Sequence, residues 1–186
     1  MCENAETNRE FIKSRAELCC PGNDWETTWR RARLKGLGSA ATSFLWKLIH
    51  QLLPTEDRLA RILPNSEPNC KLCTVQIQAD PVHSFFQCDS TREMGTKLLS
   101  TIAVYDPLVT PSKLLRLEFE TETAMEMPLV WVTAQSLLYM WGVRCSGKIV
   151  NSNLTKASLE SKISLLRETR FRNEYTLIKE VVENNL

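Results

Sequence analysis

Apolar residues recur at three- and four-residue steps along most of this chain, the period of helices buried on one face. Over residues 25–53, Trp29, Leu37, Ala41, Phe44, Leu45, Leu48, Ile49 and Leu52 keep that spacing. Gly36 and Gly38 divide the run into two helices, and Pro54 stops the second. Thr55 caps a short helix with Glu56 and Asp57 in its first turn, where the helix dipole favours acids. Leu59, Ile62 and Leu63 are its expected buried face, and Pro64 ends it. Ser90 or Thr91 opens a helix carrying Met94, Leu98, Leu99 and Ile102. Tyr105-Asp106-Pro107 then makes a turn, and Thr110-Pro111 starts a helix through Leu114, Leu115 and Leu117. Thr123 and Glu126 resemble a capping box opening an apolar helix with Trp131, Leu138, Tyr139 and Trp141. A final amphipathic helix is expected over roughly Thr155–Glu183, with Leu159, Ile163, Leu166, the stem of Arg170, Phe171, Leu177, Ile178 and Val181 on its inner side and Arg167, Arg170, Arg172 and Lys179 supplying positive charge.

No stretch alternates apolar and polar residues for long, so the expected fold is mainly α. It is a small helical domain with an embedded finger, followed by a helical hairpin or bundle. Three segments follow: a polar, partly disordered leader over 1–24 (or one short helix around Arg9–Leu18), a helical segment over 25–104, and a C-terminal helical region over 105–186.

Composition narrows the classes. With 186 residues, 43% hydrophobic and 24% charged, the chain reads as an ordinary soluble globular protein. A formal net charge of +1 gives no global argument for nucleic acid, so only local clustering of cations can. Seven cysteines at irregular spacing suit a reducing compartment rather than a disulfide framework. The polar, acidic stretch Met1–Arg15 is no signal peptide, and the Asn153-Leu154-Thr155 sequon is read as chance. An intracellular location, nuclear or cytoplasmic, is expected. The longest uncharged stretch, Met127–Val143, has seventeen residues interrupted by Pro128, Gln135 and Ser136. It is short for a membrane span and reads as a buried helix.

The chemistry concentrates in Cys70-Lys71-Leu72-Cys73, His83 and Cys88, a C-x2-C-x9-H-x4-C pattern within nineteen residues. Three thiolates and an imidazole suit tetrahedral Zn²⁺. The turn-rich run Asn65–Asn69 leads into the first pair. Asp80 and Pro81 read as N-cap and first residue of a short helix, with His83 in its first turn and Cys88 near its end. Phe85 and Phe86 are expected to pack a miniature core that the metal closes. The competing reading takes the cysteines as small buried hydrophobes and His83 as a core histidine. Ligand spacing, in a chain with only two histidines, favours zinc. Four protein ligands leave no open position for water or substrate, so the metal's role is structural. No serine–histidine–acid set, phosphate-binding glycine loop or credible carboxylate pair accompanies it. Neither an enzyme nor a small-molecule substrate is expected.

The phrase Phe44-Leu-Trp-Lys-Leu-Ile-His-Gln-Leu-Leu-Pro-Thr55, then Leu59, then the Cys/Cys/His/Cys set with His83-Ser-Phe-Phe-Gln-Cys88, forms one connected pattern over about residues 44–92. It resembles the zinc-binding region that follows the polymerase domain in non-LTR (LINE-type) retrotransposon reverse transcriptases. The segment Trp131–Arg144 is similar, less specifically, to the helix downstream of that finger. The resemblance implies Cys70, Cys73, His83 and Cys88 as zinc ligands, and a flanking basic, helical surface that touches RNA or DNA. No pair of adjacent aspartates after an aromatic marks a polymerase, since Tyr105-Asp106-Pro107 does not qualify. The expectation is therefore a detached or domesticated fragment without catalysis. On the residues themselves, the nucleic-acid surface is placed at Arg30, Arg31, Arg33 and Lys35 beside Trp25 and Trp29, extended by Lys47, His50, Lys71 and Arg92. The alternative is a protein-interaction module, with the Leu159–Ile163–Leu166 stripe of the last helix pairing with another chain.

Overall fold

The computed structural model describes residues 24–121, 123–150, 152–166 and 172–185. All of the expected leader but its last residue lies outside them, as do Arg167, Arg170 and Phe171. Helix α1 (Trp25–Ala32) starts where Asp24 Oδ1 accepts the Thr27 N–H at 3.1 Å. Helix α2 (Ser39–Ile49) buries Ala41, Phe44, Leu45, Leu48 and Ile49, the spacing read from the sequence. The link between them turns at Gly36 (φ 99°) and Gly38 (φ 80°), a left-handed region that costs glycine little.

Helix α3 (Glu56–Ile62) is capped by Thr55 as expected, but faces the other way. Asp57 is buried, pairing with Arg61 and accepting from Gln78 of the finger loop. Glu56 is also committed, to a buried arginine described below, while Ile62 and Leu63 are exposed. Charge-assisted hydrogen bonds on the acidic side set the rotation of this two-turn helix, and its apolar side is too short to outweigh them.

Helices α4 (Arg92–Ala103) and α5 (Pro111–Leu115) lead into α6 (Thr123–Cys145), the long central helix. Residues 128–137 of α6 are buried without interruption, because α2, α4 and the two last helices pack round it. A helix apolar on all sides needs such an environment. Its side chains also hold the α1–α2 link: Trp131 Nε1 donates to the Gly36 carbonyl at 3.2 Å and Gln135 Nε2 to that of Leu37 at 2.8 Å. Glu126 does not complete a capping box; it pairs with Arg30 and Arg31 across the α1–α6 interface.

The single last helix expected over Thr155–Glu183 is two helices, α7 (Ser152–Leu166) and α8 (Arg172–Asn185), packed on each other and on α6. One straight helix of that length would run about 43 Å, past the end of the core. A hairpin buries Leu159, Ile163 and Leu166 together with Ile178, Val181 and Val182. The Leu159–Ile163–Leu166 stripe is thus spent inside the chain. One hydrophobic core runs through both 25–104 and 105–186. No helix of the described residues is long and apolar enough to cross a membrane.

Candidate metal centre

The finger has two unequal halves. The first is the loop from residue 66 to residue 79. It is held by an isolated antiparallel bridge between Asn69 and Gln78, with Cys70 N–H donating to the Ile77 carbonyl at 2.8 Å and Ala79 N–H to that of Pro68 at 2.9 Å. Cys70 and Cys73 sit in the tight turn that this bridge closes. The second half begins at Asp80, whose Oδ1 accepts the His83 N–H at 2.7 Å, as its N-cap reading requires.

The short helix expected from Pro81 widens at once into a π turn, His83–Gln87, closed by Cys88 N–H donating to the His83 carbonyl at 2.8 Å. In an α-helix, residues five apart project about 140° from each other. The wider turn brings His83 and Cys88 towards the same side, a known use of π turns at functional sites. Phe85 and Phe86 do not form a miniature core with the metal. Both belong to the main core, and the Phe85 ring lies 6.2 Å from Phe44 (edge to face) and 5.9 Å from Trp141. The finger's own small cluster is Cys70, Ala79 and Cys88 with Leu72 and Cys73.

One ligand atom from each of Cys70, Cys73, His83 and Cys88 lies within 4.8 Å of the others. The shorter separations are Cys70 Sγ–Cys88 Sγ 3.6 Å, Cys73 Sγ–Cys88 Sγ 3.7 Å and Cys73 Sγ–His83 Nε2 3.4 Å. Two sulfurs on a tetrahedral zinc are about 3.8 Å apart, and a sulfur and an imidazole nitrogen about 3.5 Å, for bond lengths of about 2.3 and 2.0 Å. The donor set therefore fits a tetrahedral metal ion through the Nε2 tautomeric face of His83. His83 Nδ1 is buried, with no hydrogen-bond partner among the described residues.

The electrostatics around the sulfurs differ. Burial pushes the Cys73 thiol up to about 12, against one backbone donor, Asp89 N–H at 3.4 Å. For Cys88, burial also opposes ionisation, but the hydrogen bonds of Ser90 and the charge of Arg144 outweigh it and hold the pKa below the ordinary thiol value. Ser90 Oγ is 3.3 Å from Cys88 Sγ. Arg144, from the last turn of α6, donates from Nη1 to Cys88 Sγ at 2.9 Å and from Nη2 to Cys70 Sγ at 3.4 Å. Its Nη2 also reaches both Glu56 oxygens, at 3.1 and 2.9 Å. Arg144 and Glu56 stand 88 positions apart, and no pattern in the sequence joins them. The only trace is a cation at the end of an otherwise apolar run.

The basic residues read from the sequence are not all at the surface. Arg31 is buried: Nε donates to Glu126 at 2.8 Å, and its Nη groups donate to the Leu117 and Phe119 carbonyls at 2.6 and 3.0 Å. Its guanidinium also lies 5.6 Å over the Phe119 ring. Arg30 makes a two-pronged pair with the same glutamate, whose carboxyl is held down at about 2 by the Arg30 hydrogen bonds and, against burial, by Arg31. Trp25 is core. Arg33, Lys35, Lys47, Lys71 and Arg92 are exposed, Lys71 on the cysteine turn and Arg92 3.7 Å from Asp89 at the start of α4.

Trp29 and His50, both placed on the expected surface, form a second grouping with Trp46, which the sequence reading did not include. The His50 ring lies 6.2 Å from Trp29 and 4.7 Å from Trp46, giving a three-ring row at the ends of α1 and α2. Trp46 is 44% exposed. Burial and the nearby charge of Arg33 lower the His50 pKa.

Compared with known proteins, residues 10–94 match the family model described as zinc-binding in reverse transcriptase. Neither the curated proteins nor the solved structures yield a match to the chain. All four clustered ligands fall inside the matched span, and Arg144 falls outside it. Over residues 10–94, a little under half of its length, this chain is therefore similar to the zinc-binding region of reverse transcriptases.

Proposed function

We propose that the chain is a non-catalytic module of non-LTR retrotransposon descent that holds Zn²⁺ at Cys70, Cys73, His83 and Cys88 and binds RNA or DNA. Zinc is the ion that three thiolates and one imidazole at tetrahedral spacing select, and four protein ligands leave it no site for catalysis. The observation that carries the nucleic-acid reading is the Trp29–His50–Trp46 row with its half-exposed outer ring. Lys47 adjoins Trp46 on α2, and Arg33 acts on His50 from the end of α1. Aromatic faces flanked by cations suit unpaired bases and their phosphates. The surface differs from the one read off the sequence: Arg33, Lys35 and Lys47 remain, while Arg31 and Trp25 serve the core.

The test is binding of the zinc-loaded chain to labelled single-stranded RNA, hairpin RNA and duplex DNA across a salt series. Stacking on one aromatic is worth about 1–3 kcal/mol per base, so Trp46→Ala should weaken single-strand binding roughly 5- to 150-fold. Affinity should fall steeply with salt. A folded, zinc-loaded chain that binds none of the three at low salt would overturn the reading.

A further inference from the structure

We propose that Arg144 is a positioning residue of the metal centre, so that the unit holding the ion includes α6 and extends beyond the matched residues 10–94. The argument begins with burial. Arg144 is 5% exposed, and its guanidinium lies against two of the four ligand atoms. A buried arginine needs a counter-charge and partners for its N–H groups. Three thiolates around a divalent ion carry one net negative charge, which Arg144 offsets while sharing its own charge with Glu56. Glu56 then fixes the fork from the other side, its carboxylate accepting from Nη2.

Geometry gives this contact a consequence that charge alone would not. Cys70 comes from the bridged loop and Cys88 from the end of the π turn, and one planar fork reaches both sulfurs. Arg144 therefore ties the two halves of the finger to each other and to the last turn of α6. A lysine ammonium supplies the charge but not two donors at fixed spacing. N–H donation also favours the thiolate over the protonated thiol, so the sulfurs stay available to the metal and resist protonation that would release it. Outer groups of this kind typically change metal affinity by about 10–100-fold.

The inference rests on the zinc reading, so the zinc content of the wild-type full chain is measured first. A folded wild type with no bound zinc overturns both readings. With zinc bound, Arg144→Met should release it to a chromophoric chelator about 10–100-fold faster, with Arg144→Lys in between. In the Co²⁺-loaded proteins, the sulfur-to-cobalt charge-transfer bands should shift on losing the N–H donors, a change that a merely structural role would not produce. A folded Arg144→Met with wild-type release and unshifted bands overturns the inference and leaves the zinc reading standing. Should that variant not fold, hydrogen exchange of the wild type with and without zinc decides. Metal removal should speed exchange at residues 141–145 of α6 as well as in the finger loop, and unchanged protection at 141–145 overturns the inference.

Discussion

Replacing Gly95 by alanine ought to stabilise α4 on propensity alone, by up to about 1 kcal/mol in a helix interior. The structure reverses that sign. A Cβ at Gly95 would stand 2.2 Å from the Phe85 carbonyl oxygen and 3.1 Å from both Cα and Cδ1 of Phe86. An ordinary C···O contact is about 3.3 Å, so α4 and the π turn must part by about an ångström. The obstacle is backbone and cannot rotate away as a flexible side chain could. Overpacking of this kind costs about 1–3 kcal/mol, occasionally more, which exceeds the helical gain. Gly95→Ala should therefore lower stability by about 1–2 kcal/mol and weaken metal retention, since the displaced turn carries His83 and Cys88. Gly142→Ala is the internal control: it lies in α6, a Cβ there meets nothing within 4 Å, and it should gain up to about 1 kcal/mol. Urea unfolding of the zinc-loaded chains, followed by far-ultraviolet circular dichroism, reads both. If Gly95→Ala unfolds at or above the wild-type midpoint while Gly142→Ala behaves as stated, the close contact between α4 and the π turn is refuted.

Glu126 is held at about 2, below its ordinary 4.5, by Arg30 and Arg31. Its contribution is thus complete above pH 4.5 and lost as pH falls towards 2, so the stability gap between wild type and Glu126→Gln should close across that window. A gap that stays constant there would show that the ion pairs contribute nothing specific. Chelation, or Cys73→Ser, should raise hydrogen exchange most at residues 66–79 and least at Ser84–Phe86, because the π turn is anchored in the main core. Equal exchange in the two halves would contradict that anchoring.

Much of the helical layout was legible because local signals and burial agreed. The Gly36/Gly38 break, the Thr55 and Thr110 caps and the buried spacing of α2 all stand where the sequence puts them. The convergence of Cys70, Cys73, His83 and Cys88 was legible from spacing and chemistry. The failures share a cause, which is partners distant in the chain. Ile62 and Leu63 face solvent because Asp57 meets Gln78 and Glu56 meets Arg144. Arg31 looks like part of a basic face until the carbonyls of Leu117 and Phe119 come round to it. The hairpin of α7 and α8 depends on how far the core extends, and periodicity carries no information about that. Trp46 and His50 are ordinary i, i+4 neighbours in sequence, and only the arrival of Trp29 makes them a row.

The unequal anchoring of the finger also sets an order of events. His83 and Cys88 are carried by a turn whose Phe85 ring packs against Phe44 of α2 and Trp141 of α6. Cys70 and Cys73 ride on a surface loop with one backbone bridge, tied to the rest of the chain by Gln78 to Asp57 and by Cys70 to Arg144. An incoming ion therefore meets the His83 imidazole and the Cys88 sulfur first, and the loop folds over it afterwards. Departure runs in reverse, with the loop sulfurs letting go before the turn does. The slow step of metal exchange is then the opening of a short surface loop, and mutations at Asn69 or Gln78 should change how quickly the ion comes and goes more than how the rest of the chain folds.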